Sequence, residues 1–215
     1  MRHISNPENR QRFGPEERWT GILRNSLGED YQVIEEGLNG RTTLWDDPIE
    51  GFKNGLDYLM PCLESHKPFD LISIMLGTND LKCRFSFSAI DIAESVGVLV
   101  RQVQQSQAGP QENAPIPLLI APPPLAKLKE FEEMFKGGSE KSQLFGKYYR
   151  KKALEMGCQF LDAAEFIQSS DPDGFSNTAG MSARSIADKS RQLTLIVWLP
   201  SARRLRSTSE RCGKP

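Results

Sequence analysis

The turn Leu76-Gly77-Thr78-Asn79-Asp80 contains the residue types that point most directly to chemistry. It follows the apolar segment 69–75, so we expect a buried strand to end there and to hold the Asn79 side chain at the edge of a sheet. An Asn amide in that position can donate a hydrogen bond to the oxyanion that develops during acyl transfer. Because Gly, Asn and Asp are also ordinary turn formers, the turn indicates this chemistry only together with its neighbours.

Several neighbouring stretches provide that context. In four of them the chain resembles the SGNH (GDSL-type) hydrolases, specifically the bacterial arylesterase and acyltransferase branch: 17–21, 33–43, 54–63 and 65–71. The last of these runs directly into the turn. Weaker similarity continues beyond it, so the resemblance covers roughly residues 6–175 in the expected order, which is more specific than any single motif.

The resemblance implies a Ser-His-Asp triad and an oxyanion hole formed by the nucleophile's own amide, a Gly and an Asn. Gly37 matches the second-block Gly, Asn79 the third-block Asn, and Asp173 the triad Asp of the final Asp-x-x-His block. Two family features are missing from the sequence: no Gly-Asp-Ser precedes Asn6, and Ser176 stands where the triad His is expected. A serine without a base is a poor nucleophile. We therefore expect the scaffold of an esterase without its nucleophile and its base.

Each candidate also has a purely structural interpretation. Gly37 is a typical strand-ending glycine, and Asp173 lies in Asp-Pro-Asp-Gly, which is itself a turn signal. Of the two histidines, His66 precedes a predicted strand and is interpreted as a solvated loop residue, and His3 lies in an unpatterned terminal segment. Residues 41–43, on the loop after Gly37, either shape the substrate pocket or satisfy the loop backbone.

Hydrophobic periodicity predicts alternating strands and helices. Strands are expected at 31–36, 69–76, 116–121 and 158–162, and helices at 15–27, 48–65, 88–105 and 125–156, the last interrupted at 137–139. Ser88 and Asp91 form a capping-box pattern at the start of the third helix. Strands that alternate with helices predict an α/β fold with a parallel sheet, the three-layer flavodoxin-like arrangement that the family also has. Relative to the family, we expect the first strand and the closing helix to be missing.

The C-terminal part departs from this pattern. Residues 1–175 are interpreted as one SGNH hydrolase-like domain, incomplete at its N-terminus, and 176–215 as an atypical tail, frameshifted or disordered. The segment 184–215 contains eight basic residues against two acidic ones. Without a first strand, the predicted strands 31–36 and 69–76 would each have an unpaired edge. We expect aggregation or a homo-oligomer, the alternative being that the apolar segment 193–199 takes the place of the missing strand.

Composition excludes several other classes of protein. The formal net charge is −1, so no nucleic-acid partner is expected. No apolar stretch is long enough to span a membrane, and the N-terminus lacks the apolar core of a signal peptide, so we expect a cytoplasmic protein without a membrane partner. The four cysteines have no Cys-x-x-Cys spacing, which favours free thiols and predicts neither a metal nor a cofactor.

Two functions remain as hypotheses. The first is an SGNH ester hydrolase for a small acetyl or aryl ester, with acyl transfer as a close variant, inactive in the chain as it stands. The second is a non-catalytic binding or regulatory descendant that kept the pocket and lost the chemistry. Loss of a whole strand and a closing helix, rather than of single residues, favours the first.

Overall fold

The computed structural model describes residues 14–16, 18–126, 128 and 131–166. In this part of the chain the helices are α1 (Trp19–Leu27), α2 (Gly55–His66), α3 (Ala89–Gln105), α4 (Gly138–Ser142) and α5 (Phe145–Met156). The strands are β1 (Leu71–Ile74), β2 (Ile116–Ala121) and β3 (Gln159–Asp162). None of the helices in these ranges is long and apolar enough to cross a membrane.

The strands form one parallel sheet in the order β1-β2-β3. Leu71 pairs with Ile116, and Leu118 pairs with Gln159. Side chains alternate between the two faces of a strand, and the apolar residues here divide accordingly into two cores. One core joins the sheet to α2, α3 and α5 through residues such as Ile72 and Leu119. The other joins it to α1 through Leu71, Leu118 and Ile120, so helices cover both faces of the sheet. The predicted three-layer α/β architecture is confirmed.

Local signals predicted β2 and α3 well. The strand occupies 116–121 as expected. The Ser88 hydroxyl accepts from the Asp91 amide at 3.2 Å, and the Asp91 carboxylate accepts from the Ser88 amide at 3.0 Å, so the predicted capping box is present. The apolar run and the capping pattern each depend only on residues close together in sequence, and the tertiary structure is compatible with both.

The predicted strand at 31–36 is wrong for the described structure: the segment is not part of the sheet. A strand requires a hydrogen-bonded neighbour, and none of the described residues supplies one. Side chains anchor the segment instead. Val33 is buried in the same core as Trp19, and Glu35 accepts hydrogen bonds from Arg18 and Arg24, the latter at 2.7 Å.

Three predicted helices begin later than expected, and the first of them, predicted from residue 15, begins at Trp19. The helix predicted from residue 48 begins at Gly55, because the Asn54 side chain accepts from the amides of Leu56 and Asp57 and caps it there. Residues 131–137 form turns rather than a helix. The carbonyl of Met134 accepts from the Cys83 amide at 2.8 Å, a contact to another segment that takes the place of a helical bond.

The boundary predicted between 175 and 176 lies outside the described residues, and so does the whole of the predicted tail.

Candidate functional site

The turn after β1 is built around Gly77, which has a φ of 114°. A Cβ atom added there would lie 2.1 Å from the Tyr149 hydroxyl oxygen, so only glycine fits. Tyr149 is fully buried, and its hydroxyl donates to the carbonyl of Leu76 at 2.7 Å. Burial raises the pKa of Tyr149 well above its ordinary value, and the nearby Asp80 charge adds to the effect, so the phenol remains a hydrogen-bond donor. Helix α5 thus fixes the end of β1.

Asn79 begins the short 3₁₀ turn that follows, and its side chain is buried, with 1% of the residue exposed. Its Nδ2 donates to the carbonyl oxygen of Arg41 at 3.0 Å. A primary amide nitrogen carries two N–H groups, so one remains for another acceptor. The Oδ1 atom is buried and has no hydrogen-bond partner among the described residues. The amide is held in one orientation by the loop that it contacts.

Asp80, the next residue, binds the same loop two residues further along. Its carboxylate accepts from the Thr43 amide at 3.1 and 3.2 Å and from the Thr43 hydroxyl at 2.5 Å. Burial raises the pKa of Asp80, although the hydrogen bonds from Thr43 oppose that shift. Consecutive residues of the turn therefore hold Arg41 and Thr43. Of the two roles considered for 41–43, the backbone of this segment clearly has the structural one.

Gly37 is half-buried and lies at the start of that loop. The loop turns back on itself immediately afterwards, because the Arg41 amide donates to the Leu38 carbonyl at 3.2 Å. The structure therefore brings the Asn79 side chain to the same short loop that contains Gly37. Asp173, Ser176 and His3 lie outside the described residues.

Sequence reasoning missed a buried ion-pair network beside this turn. Lys82 Nζ lies 2.9 Å from Asp47 Oδ2 and 2.7 Å from Glu50 Oε1, and the side chains of Lys82 and Asp47 are fully buried. Arg84 contacts the same two carboxylates at 2.7 and 3.2 Å. These ion pairs connect the loop that precedes α2, which contains Asp47 and Glu50, to the segment after Asn79, which contains Lys82 and Arg84. The acidic and basic residues of this network are far apart in the sequence, so no local motif could have predicted it.

The prediction that His66 lies in a loop is wrong, although 37% of its side chain is exposed to solvent. His66 is the last residue of α2, and its Nε2 lies 3.1 Å from Glu36 Oε1. Tyr58, two turns earlier on the same helix, donates a hydrogen bond to Glu36 Oε2. Glu36 precedes Gly37 directly, so α2 holds the N-terminal side of the loop just as the turn after β1 holds its C-terminal side.

Comparison with known proteins identifies the family. Residues 5–181 match the model of the GDSL-like lipase/acylhydrolase family. The chain belongs to that family. A search among curated proteins finds no match.

Solved structures of similar proteins agree with this assignment. The native aryl esterase of M. smegmatis is 41% identical, with a TM-score of 0.80 over 85% of this chain and 88% of that one. A carbohydrate acetylesterase from Sinorhizobium meliloti is 42% identical, with a TM-score of 0.81 over 86% of this chain and 89% of that one. A further carbohydrate acetylesterase family member from the same organism is 32% identical, with a TM-score of 0.81 over 90% of this chain and 95% of that one. The predicted relationship to the arylesterase branch of the GDSL-like family is confirmed.

Proposed function

We propose that this GDSL-like chain carries the oxyanion-binding half of an ester-hydrolase site for small acetyl or aryl esters. The observation that carries the proposal is the buried Asn79 amide. One of its N–H groups is fixed on the Arg41 carbonyl, and the amide stands at the carboxyl end of β1 beside the loop that begins with Gly37. Ligand sites of parallel α/β sheets occur at that end of the strands.

In the proposed reaction a serine hydroxyl attacks the ester carbonyl while a histidine takes its proton and then returns it to the leaving alcohol. The second N–H of Asn79 and the amide of Gly37 donate to the oxyanion as it forms. Such donors contribute most when they are oriented before the reaction begins, and the Asn79 side chain meets that requirement. Asp173 is proposed as the residue that orients the histidine.

The class of substrate is proposed from the similar proteins. Their names describe an aryl esterase and a carbohydrate acetylesterase, and both kinds of substrate are esters with a small acyl group or an activated alcohol. Transfer of the acyl group to an alcohol or to peroxide instead of water follows the same chemistry, and we propose it as a variant of the same site.

The 215 residues contain no Gly-Asp-Ser and no Asp-x-x-His. We therefore propose that these residues alone do not turn over esters. In the presence of the purified chain, p-nitrophenyl acetate should be hydrolysed only at its uncatalysed background rate. Turnover on the order of 10 per second, which is typical of enzymes, would refute this.

The oxyanion assignment is tested separately in a restored protein. A Gly-Asp-Ser strand is placed ahead of Asn6, Ser176 is changed to His, and hydrolysis is then compared with and without Asn79→Ala. Loss of one oxyanion donor should lower kcat by about a hundred- to a thousandfold. Asn113→Ala is the matched control, because Asn113 is an exposed loop residue whose amide donates only locally to the Pro110 carbonyl. Equal activity in Asn79→Ala and Asn113→Ala would show that the oxyanion hole lies elsewhere.

A further inference from the structure

Three potential metal ligands from two segments of the chain converge beside the proposed oxyanion loop. Cys62 and His66 are four residues apart on α2, so their side chains lie on the same face of the helix. Glu36 approaches them from the segment that leads into Gly37. The Cys62 Sγ atom, a ring nitrogen of His66 and a carboxylate oxygen of Glu36 all lie within 4.8 Å of one another.

We propose that Glu36, Cys62 and His66 bind a divalent zinc ion. Thiolate, imidazole and carboxylate are the ligands that zinc takes in proteins, and three protein ligands leave the fourth tetrahedral position to water. The mixture of one sulfur with nitrogen and oxygen favours zinc over the hard cations Mg²⁺ and Ca²⁺, which prefer oxygen ligands alone.

The geometry is close to what the ion requires. With zinc–sulfur bonds of about 2.3 Å and zinc–nitrogen bonds of about 2.0–2.1 Å, tetrahedral ligand atoms are separated by about 3.3–3.7 Å. His66 Nε2 and Glu36 Oε1 already lie 3.1 Å apart. The three ligand atoms lie within 4.8 Å of one another, so a movement of about 1 Å would bring the most distant of them to the tetrahedral separation.

The proposed zinc site also has a hydrogen-bond donor that orients one ligand, and a route to solvent. The Tyr58 hydroxyl donates to Glu36 Oε2 and leaves Oε1 directed at His66. Hydrogen bonds of this kind orient a ligating carboxylate. Cys62 is buried, with 3% exposed, whereas 37% of the His66 side chain is exposed, so an ion can enter from the histidine side.

Charge determines how binding depends on pH. Burial, together with the nearby Glu36 carboxylate, raises the pKa of Cys62 to about 12, while Tyr58 and the Arg41 guanidinium oppose the shift. Zinc binds the thiolate rather than the thiol, so binding releases the Cys62 proton and the affinity should rise with pH. The Glu36 carboxylate and the Cys62 thiolate then balance the two charges of the ion. Arg41, stacked 4.1 Å above the Tyr58 ring, leaves one positive charge nearby and moderates the affinity.

The consequence for the site rests on the proposed function, but the binding itself does not. Glu36 is adjacent to Gly37, so an ion shared with α2 would restrain the loop that is proposed to supply an oxyanion donor. Zinc at this position would act as a structural tie beside the reaction centre.

Zinc K-edge X-ray absorption of the 215-residue chain tests the ligand set directly, whatever the state of association of the protein. The expected spectrum has one sulfur at about 2.3 Å and nitrogen or oxygen neighbours at about 2.0–2.2 Å. Titration with Co²⁺ should give one equivalent per chain and a thiolate-to-cobalt charge-transfer band. A zinc shell without sulfur would overturn the proposal.

Variants assign the ligands. Tyr58→Phe removes only the outer hydrogen bond and should weaken zinc binding by about 10- to 100-fold. Cys62→Ala and His66→Gln should each weaken it by more than that. Cys83→Ser is the matched control, because Cys83 is a free and exposed cysteine away from the cluster, and its loss should change nothing. His66 is half-exposed at a helix end, so His66→Gln should leave the fold intact. Unchanged affinity in His66→Gln and Cys62→Ala would refute the site.

Discussion

Replacing Lys82 with Met should destabilise the fold far more than loss of an ordinary surface lysine. The Lys82 ammonium is fully buried and lies 2.9 Å from Asp47 and 2.7 Å from Glu50. Methionine fills a similar volume without the charge, so the substitution removes the ion pair and leaves little cavity. Asp47 would then remain a buried carboxylate with one cation, Arg84, at 2.7 Å.

Removing one partner of a buried ion pair typically costs about 3–5 kcal/mol, because the other charge stays buried without compensation. Two features place the expected loss in Lys82→Met near the lower end of this range. Arg84 still contacts both carboxylates, and 31% of the Glu50 side chain is exposed, so water can solvate it. We expect a loss of about 3 kcal/mol, a large part of the 5–15 kcal/mol that is typical of the free energy of unfolding.

Urea unfolding followed by circular dichroism measures this loss, with Lys67→Met as the control. Lys67 pairs with Glu64 at 2.6 Å, but both side chains are exposed, and such pairs contribute only about 0–1 kcal/mol. The two pairs have nearly equal lengths and differ in burial. If the two variants lose the same free energy of unfolding at similar m-values, burial of Lys82 does not have the energetic role described here.

Three further perturbations follow from the same contacts. Burial alone would raise the pKa of Asp47, but hydrogen bonds, above all from the Lys82 ammonium, hold it well below the ordinary value. The ionised Asp47 carboxylate therefore stabilises the fold above about pH 4, and this stabilisation is lost as the pH falls further. In Asp47→Asn the urea midpoint of unfolding should decline less steeply with falling pH than in the unmodified protein. An equal dependence of the midpoint on pH in both proteins would contradict this. Thr43→Val leaves one oxygen of buried Asp80 without its hydroxyl donor and should cost about 1–3 kcal/mol in urea unfolding. Tyr149→Phe removes the buried hydroxyl that donates to the Leu76 carbonyl and should lower the free energy of unfolding by about 1–2 kcal/mol. The control, Tyr148→Phe at a half-buried position, should lower it little. Equal losses in the two variants would argue against an energetic role for the Tyr149 hydrogen bond.

Sequence by itself predicted the features that depend on neighbouring residues. The capping box of Ser88 and Asp91 and the apolar run of β2 are complete within a few residues, and both occur where they were expected. The alternation of strands and helices was sufficient for the α/β class, since it leaves a parallel sheet as the simplest arrangement. The order of the motifs was sufficient for the family.

Tertiary structure decided what depends on distant partners. Segment 31–36 contains the strand-favouring residues Tyr31, Val33 and Ile34. A strand also needs a hydrogen-bonded neighbour, however, and the described residues provide none. The same holds for charge. Lys82 is an ordinary lysine in the sequence and becomes a buried cation only because Asp47 and Glu50 fold over it. Cys62 and His66 share a helix face only because α2 extends to His66, one residue beyond the predicted helix. The packing of 31–36 against α2 then brings Glu36 to them.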